Sequence, residues 1–477
     1  MFDIIVCRDQ SNTIGLNGRL LVHLKKDIQR FKQITSENHN GNQNIIVMGY
    51  KTWESIGKKS LPGRKNVVIT RNHSESFSGT DAFISIDNFV EWYKKHTKEY
   101  GKCFIIGGQS IYDQFMKNYY EKIHIVYLTE IEGNHLTLKD EQSLNVSKFT
   151  HTFENYVRIK DSTHCDDALI YDGGLDEYTH KQVTYHYQNY VNKLYYNCEE
   201  YQYLNILKQL LIVTPKKSRN GLVYSKFGDI HMKFDLRNGF PLLTTKKMGW
   251  KTILRELLWF LSGNTDNKQL VNKKVNIWTQ NAEDYSKRSV YREGDLGPIY
   301  GFQWRHFGAD YKGCDEDYTN KGVDQIRWLI DEIKQNPYSR RLIISSWNPV
   351  DIPTMALPPC HVFVQFSIED TFIDAQLYQR SGDIFLGVPY NIASYSYLLS
   401  IVGKLTGYQP RYLYHVIGDA HIYEQHVDAV NQQLQRIPTL FPTLTLNTMK
   451  DVDEIQEHMF QVDGYDPSSC IHAPMIT

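Results

Sequence analysis

The sequence lacks several features that would have narrowed its function at once. No two cysteines form a C-x-x-C pair; the seven present (Cys7, Cys103, Cys165, Cys198, Cys314, Cys360, Cys470) are odd in number and widely scattered. A disulfide framework or zinc knuckle is thereby disfavoured, and a reducing, cytoplasmic setting is expected. Charge of one sign is also missing, since 53 Lys+Arg stand against 54 Asp+Glu for a formal net charge of -1. That balance excludes a general polyanion binder and makes nucleic acid an unexpected substrate, but it leaves room for local cationic pockets. No apolar run approaches the roughly 18 residues a membrane helix needs, so no membrane partner is expected. The start, MFDIIVCRDQ, is a short apolar strand interrupted by Asp3 and Arg8, unlike a signal peptide. In the first third no glycines are spaced G-x-G, and H-E-x-x-H is absent, so neither the common dinucleotide fingerprint nor that zinc motif applies.

What is there is enough apolar sequence for more than one core. With 477 residues, 41% hydrophobic and 13% aromatic, the chain calls for two or three domains. Ile4–Cys7, Ile45–Gly49, Asn66–Thr70, Cys103–Ile106 and Lys122–Ile131 read as buried strands, with helical spacing at Lys26–Ile34, Asp87–His96 and Ser110–Tyr119. Near-continuous apolar strands alternating with helices predict an α/β domain around a mostly parallel sheet. From about Asp161 to Leu175 the chain turns polar, and Lys181–Asn192 alternates like a last strand. The boundary is expected near residues 192–198, without a Gly/Ser or Pro-rich spacer. Beyond it, helical stretches at Ile253–Leu261, Val323–Ile333 and Ala393–Leu405 mix with strands at Arg341–Trp347, His361–Ile368 and Phe372–Tyr378, an α+β pattern.

Individual residues leave alternatives open. Gly107-Gly108, between a strand and a helix, is either a plain tight turn or a place where phosphates approach bare backbone at a helix N-terminus. Asp27 and Phe31, one helical turn apart, are either a helix-start acid and a core ring or the holder and stacking face of a flat, amidine-bearing heterocycle. Cys360 follows two prolines at the start of a strand, which suits a nucleophile as well as a buried small hydrophobe. Arg219, Arg340, Arg341 and Arg380 stand in turn-like contexts, and together they suit a dianionic phosphate and a lowered thiol pKa.

Longer motifs narrow these choices. NTIGLNGRL, MGYKTWESIG, LPGRKNVVITR and FIIGGQSIY occur in order, so that residues 1–192 resemble dihydrofolate reductase. The resemblance implies that Asp27 holds the pteridine, supported by Thr129, and that Ile5, Phe31 and Ile56 line the pterin and benzoyl pocket. It also implies that Arg64 clamps the folate α-carboxylate. NADPH would meet Gly107, Gly108, Gln109 and Ser110 at its pyrophosphate, with Lys51 and Thr52 helping and Arg71 near the 2′-phosphate. Cys7, Ile14, Thr70, Ile106, Ile111 and Tyr112 would complete the cofactor's surroundings. One departure stands out: Leu21-Val22 occupy the places where the family usually carries Pro-Trp.

FPLLTTKKMGWKTILRELLWFLSGNT, DLGPIYGFQWRHFGADY, RRLIISSWNP, MALPPCH, QLYQRSGDIFLGVPYNIASY and GDAHIY make residues 199–477 resemble thymidylate synthase, with a short junction at 193–198. The two likenesses in one chain resemble the bifunctional family that joins these enzymes. The implied roles are Cys360 attacking C6 of dUMP, and Arg219, Arg380 and Ser381 holding the phosphate. Arg340 and Arg341 would reach in from a second subunit, which implies a homodimer through the synthase domains. Asn391 would read the uracil edge beside His361 and Gln379, with His421 and Tyr423 on the ribose hydroxyl. Glu256 would order proton-shuttling waters and Tyr300 would assist loss of the C5 proton. Asp383 would hold the pterin of 5,10-methylenetetrahydrofolate, with Trp278 and Asn281 around its rings, and no metal is called for. The chain ends Met475-Ile476-Thr477 where the family often ends Met-Ala-Val. A second expectation is an active synthase carrying a weak, structural reductase-like module.

Overall fold

The computed structural model describes residues 1–37, 41–71, 77, 79–135, 145–171, 178–218 and 221–476. The chain divides into two compact units, Met1–Tyr196 and Asn197–Thr477.

The first unit is built on a nine-stranded sheet. Phe2–Asp9, Cys103–Gly107, Ile45–Gly49, Lys65–Ile69 and Thr80–Phe83 run side by side in that order, and Ile123–Ile131 lies parallel on the other side of Phe2–Asp9. These are the apolar runs of the sequence, and Ile4, Ile45, Val47, Val67 and Ile105 have no solvent exposure. Burial on both faces is what a parallel sheet covered by helices demands. The helices Lys25–Ser36, Tyr50–Ser55, Ile86–His96 and Gln109–Asn118 supply the cover, so the expected α/β architecture holds.

The far side of the sheet is antiparallel. The polar stretch beyond Asp161, to which the sequence assigned no element, is strand where described: Tyr156–Tyr171 is one long strand paired along its length with Tyr178–Asn192. Its burial alternates between half-buried and exposed, so polar side chains are tolerated while the ladder satisfies the backbone. Cross-strand contacts add to this, with His164 stacked on Tyr185 and Tyr185 donating to Asp166 at 2.8 Å. Val22–His23 then pairs with Leu169–Ile170, burying Leu21 and Val22.

The second unit has a six-stranded sheet in the order Lys216–Ser218, Gly221–Asp235, Gln409–Tyr423, Phe372–Asp383, His361–Glu369, Ile343–Ser345. Phe372–Asp383 and Gln409–Tyr423 are parallel and the other neighbours antiparallel. One helix, Gly387–Thr406, is buried through most of its length. The helices Trp250–Leu261, Tyr300–His306 and Gln325–Gln335 pack with it into one core with the sheet. This α+β arrangement matters for chemistry because register sets two neighbours: His361 opposite Gln379, and Asp383 beside His421.

Candidate functional sites

In the first unit Asp27 stands in the first turn of the helix Lys25–Ser36. The strand Ile123–Ile131 brings Thr129 to it, and the Thr129 hydroxyl donates to Asp27 Oδ1 at 2.5 Å. Burial pushes the Asp27 carboxyl up, while the Thr129 bond and the nearby Arg30 charge pull it back. The Cys7 thiol, pushed well above its ordinary value by desolvation, also faces this carboxylate. Phe31 lies one turn on, with the Arg64 guanidinium over its ring at 5.7 Å. Arg64 is 6% exposed, donates to Thr35 Oγ1 at 2.8 Å and to the Pro62 carbonyl, and meets no carboxylate among the described residues. Asp27, Phe31 and Arg64 therefore line up along one helix, acid at one end and cation at the other. Ile5 is buried on the central strand, and Ile56 sits half-buried just past the helix Tyr50–Ser55.

The glycine pair closes the strand Cys103–Gly107 and opens the helix Gln109–Asn118, which has no side-chain cap. Gly107 has φ +123°, where a side chain would be strained, and its Cβ would meet the Tyr112 hydroxyl at 3.3 Å. A Cβ on Gly108 would approach Thr52 Oγ1 to 3.2 Å. The turn is thus bare backbone at the carboxyl edge of parallel strands, and an uncapped helix N-terminus there fits an anionic phosphate group such as that of a dinucleotide. Tyr112 donates to the Ile5 carbonyl at 2.8 Å, tying this turn to the central strand. Ile14 and Ile106 are half-buried, Thr70 and Ile111 buried, and Lys51, Arg71 and Ser110 exposed; Gln109 accepts from the Lys148 backbone.

In the second unit Cys360 precedes the strand His361–Glu369. Its backbone N–H donates to the Tyr300 hydroxyl at 2.7 Å, and Arg380 Nη2 lies 3.9 Å from Sγ. The same guanidinium donates to the Pro358 and Pro359 carbonyls, so the two prolines present the acceptors that fix it. Burial nevertheless outweighs the arginine, and the thiol sits above its ordinary value. Desolvation pulls His361 down to about 4, which keeps it neutral at physiological pH.

Gln379 is the hinge of a buried chain of amides. It donates from Nε2 to Asn391 Oδ1 at 3.0 Å, and its own oxygen contacts His415 Nε2 at 2.8 Å. Asn391 also hydrogen-bonds His361, so Gln379, Asn391 and His361 are tied together. Asp383 accepts from the Phe385 and Leu386 backbone at 3.0 Å each, and Ser381 is half-buried between Arg380 and Asp383. His421 and Tyr423 stack edge to face at 5.1 Å on the neighbouring parallel strand. Trp278 donates to Glu256 Oε1 at 2.7 Å, and desolvation lifts that carboxyl to about 7; Asn281 lies half-buried one turn beyond Trp278.

Two expected arginines do not join this cluster within the chain. Arg340 and Arg341 are exposed in the turn before the edge strand Ile343–Ser345. Arg219 and Thr477 lie outside the described residues. Ile476 is half-buried, and the nearby Pro474 carbonyl meets His426 Nε2 at 2.8 Å; His426 Nδ1 in turn lies 3.9 Å from Asp383.

Sequence reasoning missed three residues beside these sites. Buried Lys246 donates to the Phe385 carbonyl, and desolvation lowers it to about 7; it lies inside the quoted TTKK motif, which was the available signal. Arg30 shares a helix face with Asp27, a signal in its i, i+3 spacing. His426 had no local signal. Among the described residues no three His, Cys, Asp or Glu side chains converge to hold a metal, and no helix is long and apolar enough to cross a membrane.

Comparison with known proteins matches the units separately and then jointly. The thymidylate synthase family matches residues 201–477 and the dihydrofolate reductase family residues 1–168. The bifunctional dihydrofolate reductase-thymidylate synthase of Zea mays is 38% identical over 99% of this chain and 96% of its own length. That of Paramecium tetraurelia is 38% identical over 99% of this chain and 98% of its own. That of Plasmodium chabaudi is 37% identical over 89% and 82%.

Proposed function

From the premise that this chain belongs to the bifunctional dihydrofolate reductase–thymidylate synthase family, we propose how its residues share one metal-free cycle. The chain is a thymidylate synthase and a dihydrofolate reductase, and both family matches favour two working sites over a synthase with a structural appendage.

In the synthase, Cys360 Sγ bonds to C6 of dUMP as the C5–C6 double bond opens toward an enolate. Arg380, Ser381 and Arg219 hold the phosphate, Asn391 and Gln379 orient the base beside His361, and His421 and Tyr423 take the ribose hydroxyl. 5,10-Methylenetetrahydrofolate supplies the one-carbon unit and the reducing hydride. Asp383, Trp278 and Asn281 bind its ring system, Tyr300 assists loss of the C5 proton, and Glu256 moves protons through water. Support for Glu256 comes from its value of about 7, which suits exchange at neutral pH in both directions. The observation that carries the synthase reading is the Arg380 guanidinium 3.9 Å from Cys360 Sγ, at a strand end shared with Asp383 and His421.

In the reductase, Asp27 and Thr129 hold the pterin edge, Ile5, Phe31 and Ile56 its apolar flank, and Arg64 the carboxylate tail. NADPH supplies the hydride when bound, and Gly107, Gly108, Gln109, Ser110, Lys51, Thr52 and Arg71 hold its phosphates. Cys7, Ile14, Thr70, Ile106, Ile111 and Tyr112 shape the rest of that cleft. The Thr129–Asp27 hydrogen bond carries this half of the reading.

Two exposed arginines at a sheet edge support a homodimer in which Arg340 and Arg341 complete the partner's phosphate site. Seven free thiols support a cytoplasmic setting. The cycle is tested by giving purified protein dUMP, methylenetetrahydrofolate and NADPH, without dihydrofolate. NADPH consumption should match dTMP formed; dTMP without NADPH loss overturns the reductase half. Mixing inactive Cys360→Ala and Arg340→Ala/Arg341→Ala chains should restore dTMP synthesis, and no recovery would refute shared sites.

A further inference from the structure

Arg30 lies three residues beyond Asp27 on the same helix face. Its Nη1 donates to Thr129 Oγ1 at 3.1 Å and its Nη2 to Asn189 Oδ1 at 3.0 Å, while its guanidinium lies 4.3 Å over the Tyr187 ring. Thr129 and Tyr187 face each other across paired strands, so the sheet itself presents the acceptors and the ring that seat this cation. Thr129 and Asn189 are buried, at 1% and 8% exposure.

The direction of the hydrogen bonds follows from donor counting. Arginine can only donate, and a threonine hydroxyl has one proton. Once Nη1 occupies a lone pair on Thr129 Oγ1, that proton goes to Asp27 Oδ1, and the 2.5 Å separation is that of a hydroxyl on a charged oxygen. We infer that Arg30 is a positioning residue of the reductase site: its guanidinium aims the Thr129 hydroxyl at Asp27 and serves as that carboxylate's fixed countercharge.

The groups facing the pair are few. Asp27 meets Cys7 from the central strand, Tyr112 from the glycine-turn helix and Tyr187 from the hairpin. Arg30 meets Asp27, Tyr187, Tyr127 and Cys7, with Lys160 the cation that feels it from the outer strand. Burial pushes Asp27 up, and Arg30 opposes that push. Reduction of dihydrofolate consumes one hydride and one proton, forming C6–H and N5–H as the C6–N5 double bond becomes single. Loss of Arg30 therefore extends the protonated form of Asp27 to higher pH, and with it the alkaline limit of turnover.

This inference rests on the reading of Asp27 as the group that holds the pterin. The test is the pH profile of NADPH oxidation with dihydrofolate for the full chain and its Arg30→Met, Arg30→Gln, Arg30→Lys and Asp27→Asn variants. Arg30→Met should move the alkaline limb up by about one pH unit, the lower end for loss of an opposite charge. Arg30→Lys should return it most of the way. Should Arg30→Met not fold, Arg30→Gln must show the same displacement. A uniform loss of rate with an unmoved limb overturns the inference and leaves Arg30 as packing. Full turnover in Asp27→Asn would instead overturn the reading beneath it.

Discussion

Asp27 and Glu256 are carboxyl groups proposed to act in the two sites, and burial pushes both upward. The reductase unit answers that push with a hydroxyl and a seated cation, Thr129 and Arg30. Among the described residues the synthase unit answers with a single neutral donor, the Trp278 indole, and Glu256 lies at about 7. A group that passes protons both ways works best with a value near the working pH, which is where Glu256 lies. Cys360, the proposed nucleophile, is also pushed up by burial, which Arg380 only partly offsets. Both carboxyls thus end above their ordinary values, with more groups opposing the push at Asp27 than at Glu256.

The largest expected effect separates the two activities outright. Cys360→Ala should lower dTMP formation by on the order of 10⁴-fold or more, as loss of a covalent nucleophile does, while dihydrofolate-dependent NADPH oxidation stays intact. A parallel fall in both rates would show that the units do not work independently. Asp27→Asn should do the reverse, cutting NADPH oxidation by about 10²–10⁴-fold and sparing dTMP formation measured with fresh methylenetetrahydrofolate.

A smaller effect probes the other end of the reductase helix. Arg64 is buried beside Phe31 and Thr35 without a carboxylate among the described residues, a costly position unless a ligand supplies the anion. Arg64→Lys loses the planar fork, so KM for dihydrofolate should rise about 10-fold or more with little change in kcat. An unchanged KM would assign Arg64 to packing alone.

These contrasts were unevenly legible in the sequence. The parallel strands announce themselves as apolar runs, because burial on both faces leaves little room for polar residues. Tyr156–Tyr171 does not, because through its middle the side chains are only half-buried or exposed and its pairing with Tyr178–Asn192 makes it a strand. Cys360 and its prolines are adjacent in sequence, so the local motif carries both the thiol and the acceptors that fix Arg380. Arg30 is different: its partners Thr129 and Asn189 lie 99 and 159 residues away, and only strand register brings them together. His426 is likewise tied to Pro474, 48 residues on, by the path of the chain end.

The smallest effect bears most directly on the comparison, because it measures stability rather than rate. In the unfolded chain Glu256 ionises near its ordinary 4.5, and in the folded unit near about 7. Between these values the folded state holds the extra proton, so stability falls as pH rises, and the loss is complete above the folded value. The difference converts to about 3 kcal/mol at most. Glu256→Gln cannot ionise and keeps an oxygen for the Trp278 N–H. Its synthase unit should therefore resist urea better than the parent at about pH 8, with the gain shrinking to nothing below about pH 4.5. Asp27→Asn should gain less at the same pH, since Thr129 and Arg30 oppose the larger push of burial there. Equal gains would mean that the seated cation does nothing for Asp27, and the contrast between the two units would collapse into burial alone.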